Sequence, residues 1–500
     1  MKRVMTYKVI LAALACVLLS ACRGGDFSTA VAGSEGPLVI YPDYKDVTIP
    51  ANIAPLNYRY AMEGVRKAST TFTVDGKSVT IKGAEVEWPL KKWKAFMAGA
   101  AGKTIQVEAE ATVAGSLVKD SWSVFVSEDP IDGWLTYRLI EPAYQMWNEV
   151  SIMERCIEDF SETVICDYNL TENSCMNCHV HGQQRGDLSV YYIRGPKGGA
   201  ILNRDGKLRK LTLNADGMLS GTVYGEIHPS GRFGVFSTNI ILPGLHTVAG
   251  KRMEVYDTAS DLTVADFDRN EMINLPHVAR ADAFETFPCF SADGNSVFYC
   301  VADTLQVPQK VEELLYSLVR ADFDPETGYI SSQVDTIWSG SAHNASVCHP
   351  KASPDGRWLM FTVADYGTFP LFHTESTLWL ADLATGETRP LDGIKGNKSD
   401  TFHSWSSNGR WFVFASKRGD GHYGKPYFCH LDADGNPTKP FVLPQKSSRF
   451  YDYNLKSFNI PDLAKASTGM TPKDARRMYK AASEPFTNAV LSGNDTEEQN

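Results

Sequence analysis

Apolar and polar residues alternate along the first third of the chain. Thr104-Ile105-Gln106-Val107-Glu108-Ala109-Glu110-Ala111-Thr112 places every second side chain on one face, the period of a strand with one buried side. Ser69 to Thr80 repeats that alternation on both sides of Val74-Asp75-Gly76-Lys77, whose Asp-Gly pair predicts a hairpin turn. Such patterns run from Leu38 to about Asp129, with a short helical or loop excursion expected from Trp88 to Gly102. The period then changes. Met146, Trp147, Val150, Met153, Ile157 and Phe160 fall mostly three or four apart, which predicts an amphipathic helix over 143–160. Strand alternation returns at Leu188-Ser189-Val190-Tyr191-Tyr192 and persists to about Asp462. Beyond it, Pro472 to Ala482 reads as a short charged helix and Ser492 to Asn500 as a polar, disordered tail.

Within the long strand-rich region one unit recurs. His228-Pro229-Ser230-Gly231-Arg232-Phe233 is restated at Phe290-Ser291-Ala292-Asp293-Gly294-Asn295, at Ala352-Ser353-Pro354-Asp355-Gly356-Arg357, and at Trp405-Ser406-Ser407-Asn408-Gly409-Arg410, each running into an apolar strand. Every copy couples a polar turn to a glycine suited to the left-handed conformation. A supersecondary unit repeated in this way predicts four-stranded blades set around an axis. Ala352 to Phe361, the clearest copy, resembles the blade signature of the TolB-like β-propellers. The resemblance spans 187–462 and implies five or six blades, with 187–214 in an early blade and 427–443 in a late one. The expected fold class is therefore mainly β. An immunoglobulin-like sandwich at 37–129 precedes a helical segment at 130–186, a propeller at 187–462, and a helix with a tail at 463–500.

The N-terminus supplies a location. Lys2, Arg3 and Lys8 precede an apolar run from Val9 to Leu19 that closes on Leu19-Ser20-Ala21-Cys22. This resembles a bacterial lipoprotein signal over 1–21, with Cys22 as the acylated residue and 22–36 as a flexible tether. The run is too short to remain as a membrane-spanning helix. The mature chain is then extracytoplasmic and lipid-anchored to a Gram-negative envelope, periplasm-facing. A net charge of −10 argues against a nucleic-acid partner.

The chemistry centres on Ser174-Cys175-Met176-Asn177-Cys178-His179. In a Cys-x-x-Cys-His the two thiols suit the vinyl groups of a haem and the histidine its iron. The expectation is one covalent haem c, attached at Cys175 and Cys178, with His179 as proximal ligand. The same dithiol also suits a structural disulfide, or a zinc site shared with Cys156 and Cys166. Because strand pattern resumes at Leu188, a self-contained cytochrome domain is excluded. The sixth ligand must be absent or come from elsewhere; Met146, Met153 and histidines of the facing domain are candidates, and His181 is too close to His179 to reach the opposite face. Disulfides Cys156–Cys166 and Cys289–Cys300 are sterically conceivable, and Cys348 and Cys429 complete the thiols outside the signal.

A second candidate site gathers His343, Cys348, His349 and His403, which precede the third and fourth turn glycines where a blade can meet the channel. No Gly-x-Ser-x-Gly elbow accompanies them, so a serine peptidase is excluded. Asp432-Ala433-Asp434-Gly435-Asn436 reads as a hairpin turn rather than a calcium loop. The leading function is single-electron transfer with an envelope partner docked on the propeller. The alternative is a non-catalytic scaffold with Cys175 and Cys178 in a structural disulfide, and a third is a hydrolase or lyase using His349 or His403.

Overall fold

The computed structural model describes residues 36–141, 149–244 and 254–491, with the backbone alone at 177, 178 and 490. The lipobox, Cys22, the tether, Met146 and the acidic tail lie outside the described residues.

The first unit is a sandwich of a five-stranded sheet, from Thr48–Pro50 to Lys77–Lys82, and a three-stranded sheet of Ile40–Tyr41, Tyr58–Tyr60 and Glu85–Val86. Thr104–Val113 alternates exposed and buried side chains as its sequence requires, and Asp75 and Gly76 turn the hairpin with φ of 51° and 73°. The expected excursion is a helix, Leu90–Met97, which packs Trp93 and Phe96 into the sandwich core.

Six further antiparallel sheets follow. Blade 2 starts at Met176–His181, blade 3 at Thr222–Ile227, blade 4 at Ala283–Phe290, blade 5 at Ser346–Ala352 and blade 6 at Asp400–Trp405. Each of these strands contacts the first strand of the next blade, and Ser457–Ala464 contacts those of blades 6 and 2, so six inner strands close a ring. Ser457–Ala464 is the inner strand of blade 1, whose other three strands are Trp134–Ile140, Val150–Cys156 and Glu162–Asp167. It pairs antiparallel with Trp134–Ile140 from Ser457↔Ile140 to Ala464↔Trp134. The architecture is a six-bladed β-propeller in which the C-terminal part of the chain completes the first blade.

The repeated motifs are the turns between inner and second strands of blades 3 to 6. Gly231, Gly294, Gly356 and Gly409 have φ between 66° and 78°, and each donates its N–H to the carbonyl three residues back. The strands that follow do not alternate. Trp358–Ala364 and Trp411–Ser416 are buried throughout, because each blade is covered on both faces.

The helix expected over 143–160 is corrected. Val150–Cys156 is a strand, and residues 142–148 lie outside the described residues. Its apolar residues serve two surfaces: Ile152 joins one cluster with Tyr191 and Ile201, whereas Met153 faces the core shared with the sandwich. Two burial faces in register imitate helical spacing. The propeller consequently begins at Trp134, and the segment carrying the Cys-x-x-Cys-His is strand. After the ring closes, a helix, Pro472–Lys480, leads to two short strands that add in parallel to the outer edges of blades 2 and 3.

The sandwich does not stand apart. One cluster runs from Ile49 and Trp93 through Leu135 and Tyr137 of blade 1 to Trp411 and Phe428 of blade 6. Trp411 Nε1 donates to the Asp129 carbonyl at 2.9 Å, and Asp132 accepts from the Ser407 N–H and hydroxyl at 2.7 Å each. The domain therefore bridges blades 1 and 6.

Candidate functional site

Every inner strand breaks register once near its middle, between Met176 and His179, Thr222 and Gly225, Thr286 and Cys289, Cys348 and Lys351, Thr401 and His403, and Asn459 and Asp462. A bulge re-aims the side chains beside it. Phe287, His349, Phe402 and Ile460 take φ of 47° to 54°, a conformation that costs energy for these residues and that concentrates where geometry serves function. The bulges place an aromatic collar in the channel. Tyr224 packs on Phe287 at 4.5 Å between centroids, Phe287 on His349 at 4.4 Å, and His349 on Phe402 at 4.6 Å.

The collar separates two spaces. On one side a chamber of about 110 Å³ is lined by His179, Lys351, His403 and Asp462 among apolar residues. On the other a mouth cavity of about 80 Å³ is lined by Arg138, Ile140, Arg194, Val255 and Phe372. Cys175 belongs to the mouth side, clustered with Ile140 and Val150.

His179 is 5% exposed, and neither of its ring nitrogens makes a well-formed hydrogen bond, the Thr136 backbone being close enough only to raise its pKa slightly. Burial, only partly opposed by the Asp462 carboxylate, pushes its pKa down to about 4, so the ring is neutral at pH 7. His181 points elsewhere: its Nε2 meets Thr136 Oγ1 at 2.9 Å, while its backbone N–H donates to Asp462 Oδ2 at 2.9 Å. His403 donates from Nε2 to the Met360 carbonyl at 3.0 Å, which leaves Nδ1 as an unprotonated acceptor without a partner. Burial holds His403 and His349 both down at about 3. Lys351 Nζ lies 3.3 Å from Glu226 Oε2. Burial works against the lysine charge, but Glu226 and then Asp462 raise its pKa overall; burial likewise raises that of Glu226.

Of the second candidate set, the structure brings His349 and His403 together with His179 and separates the other two. His343 is exposed on a short helical turn and stacks on Trp338 at 4.4 Å. Cys348 is buried within blade 5, its thiol against the Thr362 carbonyl. Cys348 points away from the channel because strand alternation sends the neighbour of His349 into the blade, and His343 lies on the helical turn before that strand. Met153 faces the sandwich and is removed as a sixth ligand. The conceivable disulfides are absent: Cys156 and Cys166 are thiols, as are Cys289 and Cys300, which the bulge sets opposite Phe298 and Thr286 instead of each other. Among the described residues no group of three or more His, Cys, Asp or Glu is assembled for a metal ion. Asp432 is a turn residue, accepting from the N–H groups of Asp434 and Asn436.

Lys351, Glu226 and Asp462 were missed at the sequence level. A signal was present: Pro288, Pro350 and His403 each precede a turn glycine by six residues, so the residues around them share one place in the blade.

No family model matches the sequence, and no curated protein does. Solved structures show a distant likeness. A protein described as a TolB from Agrobacterium tumefaciens has 13% identity and a TM-score of 0.37 over 64% of this chain and 94% of its own. The tricorn protease has 12% identity and a TM-score of 0.37, covering 82% of this chain and 36% of that one. A periplasmic gluconolactonase of Pseudomonas aeruginosa has 14% identity and a TM-score of 0.34 over 63% and 98%.

Proposed function

We propose that this chain is an envelope lipoprotein carrying one haem c, bound through Cys175 and Cys178 with His179 as proximal ligand, and that it exchanges single electrons with an envelope partner docked at the propeller mouth. The observation that carries the reading is His179: a buried imidazole, neutral at pH 7, whose ring nitrogens have no well-formed hydrogen bond and only a weak contact to the Thr136 backbone.

The donor set fits the group. Desolvation keeps the His179 lone pair unprotonated above about pH 4, as iron ligation requires. Cys175 lies beside Ile140 and Val150, an apolar setting for a macrocycle, and Arg138 and Arg194 line the same mouth with guanidinium groups suited to carboxylates. Neither cavity, about 110 Å³ beside His179 and about 80 Å³ at the mouth, approaches the roughly 300 Å³ at which ordinary ligand pockets begin, so a haem joined to both Cys175 and His179 would require the collar and mouth to open. When bound, the haem supplies a one-electron iron couple. The chain contributes an axial base, thiols for attachment and an apolar surround that limits water. Cys22 supplies the lipid attachment and faces the protein toward the periplasm.

The test is a pyridine haemochrome spectrum with intact mass, on full chain produced in a host competent for cytochrome c maturation. One added haem is expected, lost in Cys175→Ala/Cys178→Ala. Protein without haem, its mass two hydrogens short at Cys175 and Cys178, would overturn the reading in favour of a lipid-anchored binding scaffold.

A further inference from the structure

Below the collar, the chamber contains hydrogen-bonding groups of both kinds. His403 offers an acceptor, since its only ring proton is committed to the Met360 carbonyl. His179 in its neutral form adds one donor and one acceptor, with only a weak contact to the Thr136 backbone. Lys351 has three N–H donors and a single long contact, to Glu226. Asp462 adds a carboxylate of which one oxygen takes the His181 N–H. Around these stand Tyr224, Phe287 and Phe402.

Polar atoms left unpaired at this depth cost stability, so the chamber favours whatever satisfies them together. A carboxylate ligand brings only acceptors and an ammonium only donors. A hydroxyl brings both. The fixed charges, Lys351 against Glu226 and Asp462, leave no excess of positive charge to draw an anion. Aromatic walls suit the C–H faces of a small saturated molecule.

We infer that this chamber is a binding site for a small, neutral, hydroxyl-rich molecule, held between His403, His179 and Lys351. The site does not depend on the haem reading: His403 and Lys351 line the chamber whether or not His179 would hold an iron.

The experiment is saturation-transfer NMR on the full-length protein with glycerol, D-glucose, acetate and methylammonium as separate probes. Glycerol or glucose is expected to bind at least tenfold more tightly than either ion. His403→Phe keeps the ring but removes the acceptor, and is expected to weaken binding roughly tenfold, the size of one lost buried hydrogen bond. His403→Gln, which retains a donor for Met360 and an acceptor, restores it; Lys351→Met weakens it independently should His403→Phe fail to fold. No transfer to either hydroxylated probe means that the chamber holds water alone, and overturns the inference. So does equal binding of acetate, or binding indifferent to both His403→Phe and Lys351→Met. The Cys175→Ala/Cys178→Ala protein, without haem, retains glycerol or glucose binding, which separates failure here from failure of the haem reading.

Discussion

Desolvation moves acids and bases in opposite directions within this fold. His179 is held near 4 against an ordinary value of 6.5, so the unfolded chain takes up its proton first as pH falls. Its contribution is intact above pH 6.5 and is lost as pH drops through about 4. In protein made without haem, His179→Phe is therefore expected to gain ~1–3 kcal/mol relative to the parent between pH 7.5 and pH 4.5, read by urea denaturation at both values. Asp257, fully buried between blades 3 and 4, behaves oppositely. Burial raises its pKa to about 7 despite the Asn239 amide at 3.0 Å, so its contribution is present below about pH 4 and lost as pH rises through 7. Asp257→Asn should stabilise the protein at pH 8 by ~1–3 kcal/mol and make little difference at pH 4, a contrast that calorimetry at the two values would register. At this scale the sequence was partly legible. A Cys-x-x-Cys-His names its own residues, and His349 and His403 drew notice by position; Lys351, Glu226 and Asp462 acquire meaning only when bulges on three different blades turn them to one axis.

Strands and connections are where sequence pattern and structure diverge most instructively. The turns could be read because an Asp-Gly or Asn-Gly pair carries its conformation locally, as at Gly356 and Gly409. Val150–Cys156 could not, since its side chains are sorted by two neighbours that the local sequence does not contain. One connection is unusually tight. A side chain at Gly186, which links the inner and second strands of blade 2, would collide with the backbone carbonyls of Ala466 and Ser467. Backbone cannot swing aside, so Gly186→Ala is expected to lower stability by about 2 kcal/mol or more in thermal denaturation, with the damage at the junction of blades 1 and 2. The C-terminal helix has a reciprocal cap between Thr471 and Asp474, and Thr471→Ala should cost about 1 kcal/mol by the same measurement.

The molecule as a whole departs from the beads-on-a-string order that composition shifts suggest. Sandwich and propeller share one apolar cluster across blades 1 and 6, so they should unfold together in a single calorimetric transition. Trp411→Ala, which empties the centre of that cluster and releases the Asp129 carbonyl, is expected to cost about 3–5 kcal/mol and to lower both domains at once. Two separate transitions in the parent would refute the shared core. The closure of the ring also sets a timetable. Synthesis proceeds from the N-terminus, and Trp134–Ile140 waits with an unpaired edge until Ser457–Ala464 has been made. The strand holding His179, which Cys175 immediately precedes, has that same late segment as its neighbour. Until that first blade is sealed this edge stands open, so the attachment proposed for Cys175 and Cys178 would be made on a chain not yet finished folding.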